Sequence, residues 1–236
     1  MLAKSTFTPT HHLLVIVTFA TIVITAVLLG RRWPNATRWG VMGFGLGCWV
    51  LSLFYFASYD RLDLSQSLPI QACDILALMA PISVVLGSRW LKSVTYFGGF
   101  GLTTQAFFTP VLQTGPDTLR FWVFWALHFG IVLASIYLIA AQQFKPNRRD
   151  WRNAVLFWLA YALTMVFINY QNGWYYGYLG PEIPPSAQDT ILQHLGPWPL
   201  RPVMMMLLAL TIFTLLWLPW PVLQRIKKGD QDQASA

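Results

Sequence analysis

Residues Phe121–Gln143 read FWVFWALHFGIVLASIYLIAAQQ, a run without one Asp, Glu, Lys or Arg. At ~1.5 Å of rise per residue a helix of that length crosses the ~30 Å hydrocarbon core of a bilayer. Backbone in lipid has to satisfy its own hydrogen bonds, so the run is read as a helix and not as strands.

Six more runs of this kind flank it: His12–Gly30, Trp39–Ser58, Pro69–Gly87, Val94–Thr109, Ala154–Tyr170 and Pro202–Leu223. The expected fold is therefore all-α, a polytopic membrane protein with seven transmembrane helices in one domain over residues 1–236. The fourth run is short and Gly-rich, and Pro81 marks a point where the third could break. Composition agrees. Of the 236 residues 56% are hydrophobic and 11% charged, whereas soluble domains carry about 25% charged residues. So few charges cannot make a water-facing surface.

The first run, from Leu13 to Gly30, is too long for the apolar core of a signal peptide. No small-x-small cleavage site precedes Arg31 and Arg32, so it is expected to be retained.

The net charge of +7 does not point to nucleic acid, because the cations sit in short loops between apolar runs. Twelve of the sixteen Lys and Arg fall on one set of alternate connections: Arg31, Arg32 and Arg38; Arg89 and Lys92; Lys145, Arg148, Arg149 and Arg152; Arg225, Lys227 and Lys228. The other set holds Lys4, Arg61, Arg120 and Arg201. The positive-inside rule then puts the N-terminus outside and the C-terminus in the cytoplasm. The longest connection, Gln171 to Arg201, falls outside. Its Trp174, Tyr175, Tyr176, Tyr178 and Trp198 suggest an ordered aromatic cap at headgroup level. Gly-Phe-Gly-Leu occurs at 43–46 and again at 99–102, and Gly43, Gly47 and Gly99 are read as small faces for helix packing.

Polar side chains inside spans are costly and mark function by default. The strongest are Gln71, Cys73, Asp74, Gln105, His128, Asn169 and Tyr170. Under the topology above they converge on the outer part of the bundle from four helices. Cys73 lies about 6 Å past Pro69, and His128 about 10–12 Å below Arg120. A polar pocket near the outer leaflet, roofed by the aromatic connection, is expected. Cys73 and His128 are its natural pair: a thiolate is a strong nucleophile, and an imidazole can take its proton. Asp74, Gln105 or Asn169 could orient the imidazole or stabilise an oxyanion. Asp74 follows Cys73 directly and points ~100° away on a helix.

The structural alternatives are plain ones. A lone Cys in an apolar helix is a small hydrophobe, which suits Cys48. A single His, and Asn169 or Gln105, can bond a neighbouring helix. Met204, Met205 and Met206 read as packing. His and Cys do not cluster at ligand spacing, so no metal is expected, nor any cofactor. Without a Lys between Pro202 and Leu223, a retinal Schiff base is excluded there. No disulfide is implied by Cys48 and Cys73.

Ser67–Ile75, with its Leu68-Pro69 and Cys73, resembles the segment that opens the third span of the YwaF-type integral membrane proteins. Gly196-Pro197-Trp198-Pro199 looks like that family's signature before the last helix, and Asn169-Tyr170 before a Gly- and Tyr-rich loop also fits. That family is similar to the transmembrane protein 164 group, phospholipid acyltransferases that act through a Cys and a His, and these resemble the androgen-induced membrane hydrolases. The resemblance implies Cys73 as nucleophile, His128 as its partner, a membrane phospholipid or lysophospholipid as substrate, and a bacterial cytoplasmic membrane as location. One position departs: Gln71 stands where many relatives have His. The alternative reading is a non-enzymatic binding or transport protein with the same outer pocket.

Overall fold

The computed structural model describes residues 8–59, 64–65, 67–112, 114–182 and 191–222. Lys4, Arg61, Leu223 and the basic residues Arg225, Lys227 and Lys228 lie outside them. The described residues fold as helices joined by short connections.

Helix α1 spans Pro9–Arg32. It starts on Thr8, whose hydroxyl accepts the His11 N–H, with Pro9 in the first turn where a missing donor does no harm. Only Trp33 separates it from α2, Pro34–Tyr59. The residue before a proline disfavours helix, so the chain turns there, between the first two apolar runs. Helix α3 is Ala72–Leu86 and stops at Gly87, which takes the left-handed conformation at φ 68°. Helix α4, Arg89–Gly98, is capped by Ser88 and runs into a π turn, Gly99–Thr103, and then the one-turn α5, Gln105–Phe108. Helix α6 is Leu119–Ala140, α7 is Arg148–Asn172 and α8 is Leu200–Trp217. Two short 3₁₀ turns, Tyr176–Tyr178 and Ile191–Leu195, lie between α7 and α8.

Among the described residues, five helical stretches are long and apolar enough to cross a membrane: Pro9–Arg32, Pro34–Ser58, Leu119–Ala140, Arg148–Asn172 and Leu200–Val222. The sequence reading expects seven. The expected third span, Pro69–Gly87, shrinks to the 15 residues of α3, about 22 Å by the rise of an α-helix. The expected fourth, Val94–Thr109, begins five residues earlier at Arg89 and is interrupted at Gly99. Ser88 sets the early start by capping, and Gly99 and Gly101 leave the backbone free to widen its turn. Pro81 does not break α3.

Helix α6 is the axis of the bundle and packs on α1, α2, α3 and α4. That explains its lack of a polar stripe: Trp125, Ile131 and Leu138 all find neighbours on different sides. In contrast, α1 and α8 leave Leu13, Val17, Leu28, Leu207 and Leu215 exposed. Such a belt of bare apolar side chains is stable against lipid and not against water.

Helices α2 and α6 approach each other closely at Gly45 and Gly130. A Cβ on Gly130 would lie 3.2 Å from the Gly45 Cα, and one on Gly45 would lie 2.8 Å from the Pro81 Cβ, so α2, α3 and α6 meet at one point. Gly99 similarly faces Ser135 of α6. Gly43 and Gly47, the other two expected packing positions, have nothing within 4 Å of where a Cβ would sit. Gly45 is the packing residue of that motif, because its side of α2 faces the bundle.

At the end of the bundle where α4 and α7 begin, Asp150 is 1% exposed. It accepts from Arg89 Nε (3.0 Å) and Nη2 (2.6 Å), from the Ser93 hydroxyl (2.8 Å) and from the Asn147 N–H (2.8 Å). Four donors satisfy this buried carboxylate and tie α4 to α7.

Candidate functional site in the helix bundle

At the other end, where α3, α6 and α8 begin, a cavity of about 640 Å³ opens between the helices. Helix α8 leans on α7 and the π turn, and the space between it and α3 and α6 is left unfilled. Leu102, Phe124, Leu127, Trp158, Met206 and Phe213 give the cavity apolar walls. Val203, Leu207 and Leu210 line it and are also exposed on the flank of the molecule, so it opens sideways. Apolar walls with a few polar groups at one end are the usual make-up of a small-molecule site.

The polar end is built by the start of α3. Cys73 is the second residue of that helix, and the N–H groups of Ala72 and Cys73 have no intrahelical acceptor. The Asp74 carboxylate accepts the Gln71 N–H at 3.1 Å, the reciprocal arm of a capping box. Cys73, Asp74, Gln71, Gln105 and His128 all line the cavity. On α6, His128 Nδ1 lies 2.7 Å from the Phe124 carbonyl oxygen. A carbonyl only accepts, so Nδ1 carries the proton and Nε2 keeps its lone pair. Nε2 makes no hydrogen bond among the described residues, and none joins the imidazole to the Cys73 sulfur.

Asn169 and Tyr170 do not line the cavity. Asn169 is 0% exposed; its amide donates to the Tyr176 carbonyl at 2.7 Å and accepts the Tyr176 N–H at 2.9 Å. It clasps the loop that follows α7. Tyr170 is 61% exposed and stacks on Trp198 at 5.4 Å with the rings 5° apart. The Gly-Pro-Trp-Pro segment thereby docks on the end of α7. Neighbours on one helix, these two residues necessarily point to different faces.

The loop after α7 is the roof. The Gln71 side-chain oxygen accepts the Gly177 N–H at 2.7 Å. The Tyr176 hydroxyl donates to the Leu64 carbonyl at 2.6 Å and accepts the Leu68 N–H at 3.0 Å. The Tyr161 hydroxyl donates to the Ile70 carbonyl at 2.9 Å. Arg201, buried at the start of α8, donates to the carbonyls of Tyr178 (3.4 Å), Gly180 and Glu182 (3.3 Å).

Sequence reading gave no place in the cavity to Arg120 and Thr103, and named Tyr178 only as part of the aromatic roof. Tyr178 lines the cavity, with φ 60° directly after Gly177 at φ 63°. A tyrosine in the left-handed region is strained and has to be held there by its surroundings. Burial, and next the nearby acidic groups Cys73 and Asp74, push its phenol above the ordinary range, so it stays a neutral O–H. Arg120, counted only as a loop charge, lies exposed at the rim. Thr103, in the π turn, lines the cavity with a buried hydroxyl that has no hydrogen-bond partner among the described residues. The Gly-x-Gly of the π turn was the one available signal for Thr103. Met205 and Met206, read as packing, also line the cavity.

A bundle with a lipid-facing belt and a side-opening internal cavity defines a polytopic membrane protein. Residues 6–217 match the profile of the TMEM164 family, and the chain belongs to that family. No curated protein matches the chain. No solved structure matches it either.

Proposed function

We propose that this chain is a membrane-embedded lipid acyltransferase or hydrolase that works through a thioester on Cys73. The observation that carries the reading is the sharing of one apolar, side-opening cavity by Cys73 and by a His128 whose Nε2 is free. A phospholipid acyl chain would enter from the flank between α8 and the rest. The thiol sulfur attacks the ester carbonyl carbon while His128 Nε2 takes its proton. The acyl C–O bond breaks, and His128 gives the proton to the departing lysophospholipid oxygen. The acceptor hydroxyl, of a second lysolipid or of water, then attacks the thioester. His128 takes that proton and returns it to the sulfur. The free N–H groups at the start of α3 and the neutral Tyr178 O–H are the donors at hand for the tetrahedral oxyanion. Arg120 at the rim suits a headgroup phosphate. The distribution of Lys and Arg supports placing this end toward the outer leaflet.

The missing hydrogen bond between Cys73 and His128 favours a second reading, a non-covalent lipid- or solute-binding protein. Intact-protein mass spectrometry after incubation with phospholipid separates the two. An acyl-sized adduct that hydroxylamine removes, absent in Cys73→Ala, is the result expected of the enzyme. Lipid bound without any adduct, with turnover unchanged in His128→Ala, would overturn it.

A further inference from the structure

A second cavity, of about 290 Å³, lies at the opposite end, where the α1–α2 turn, the α3–α4 turn and the end of α6 meet. Arg38 of α2, Lys92 of α4, Tyr137 of α6 and the residues Asn35, Gly87 and Gln142 line it, and among the described residues no carboxylate does. The cations around it are not equivalent. Arg89 is neutralised by Asp150. The side chains of Arg38 and Lys92 make no ion pair or hydrogen bond among the described residues, and the Arg38 Nε is buried with no hydrogen-bond partner among them. An unpaired buried donor is costly, and two cations facing one space without a counter-charge repel each other. Tyr137 is 1% exposed, and its hydroxyl too has no hydrogen bond among the described residues. Gly30 holds this ring in place: a Cβ there would lie 2.7 Å from the Tyr137 Cε2.

We propose that this cavity is an anion site for a phosphate group, gripped by the Arg38 guanidinium and the Lys92 ammonium with the Tyr137 O–H as third donor. The guanidinium offers paired N–H groups that match two phosphate oxygens, and the ammonium adds a point charge. The group can come from an anionic phospholipid headgroup or from free phosphate. Exposed Arg31, Arg32, Arg148 and Arg149 crowd the same end and would draw anionic lipid toward it. The site is independent of Cys73 and His128.

Native mass spectrometry on the delipidated full chain, titrated with phosphatidylglycerol, tests it. Retention is expected to fall about tenfold in Arg38→Ala/Lys92→Ala, and less in Tyr137→Phe. Arg31→Ala/Arg32→Ala, at exposed positions, is expected to behave as wild type. Arg38→Gln, neutral and of similar length, reads the same loss should the alanine pair fail to fold. Phosphatidylglycerol that persists in excess inorganic phosphate assigns the site to a headgroup. Displacement, with phosphate adducts in wild type alone, assigns it to the free ion. Equal retention of both probes by wild type and the Arg38 and Lys92 variants would overturn the proposal.

Discussion

The side-chain oxygen of Gln71 accepts the N–H of Gly177 at 2.7 Å, joining the start of α3 to the loop that covers the cavity. The two residues are 106 positions apart. One residue past Gly177 stands Tyr178, and two past Gln71 stands Cys73, so this bond sets the roof against the nucleophile of the proposed reaction. Gln71→Ala is expected to lower stability by about 1–3 kcal/mol, since it strands a backbone donor. Gln71→Glu keeps the acceptor and should lose less. Thermal melting in detergent, with limited proteolysis of the loop as second readout, checks both.

His128 offers a cleaner test of chemistry than of folding. His128→Gln keeps a polar side chain of similar reach but has no proton-accepting nitrogen. Under the proposed reaction, phospholipid turnover is expected to fall by about 10²–10⁴-fold, with the melting temperature little changed.

Asn169 serves the roof from below. Asn169→Asp keeps an acceptor for the Tyr176 N–H but loses the donor to the Tyr176 carbonyl, and buries a carboxyl in exchange. A loss of about 1–3 kcal/mol is expected in chemical denaturation. Tyr170→Phe keeps the ring that stacks on Trp198 and should be silent. Tyr170→Ala should cost about 0.5–1.5 kcal/mol.

Gly130→Ala puts a methyl against the Gly45 backbone, which cannot swing aside as a side chain can. About 1–3 kcal/mol of destabilisation is expected. Gly47→Ala, on an open face of the same α2, should be neutral in the same melting assay.

Asp150→Asn removes the charge partner of Arg89 while leaving one oxygen to accept. Arg89 is 56% exposed and can be re-solvated, so the loss is expected to stay near 1–3 kcal/mol. Raised salt should change it little, because the carboxylate end is buried.

The long apolar runs determined most of the architecture by themselves. Residues 121–143 carry no Asp, Glu, Lys or Arg to face water, and the structure makes their helix, α6, the axis of the bundle. Polarity inside apolar runs pointed to Cys73, Asp74, Gln105 and His128, and these do line one cavity. It pointed equally to Asn169 and Tyr170, which do not. Only packing decides which way a polar group faces when a helix has neighbours on several sides. The same holds for the bounds of α3 and α4: α3 is shorter than the expected run, and a widened turn at Gly99 interrupts the expected fourth. Tyr178 was legible as part of the aromatic roof, but its position at the cavity was not. Its place over the cavity depends on two left-handed residues in succession and on bonds to segments about a hundred positions away, and no local pattern in the chain encodes either.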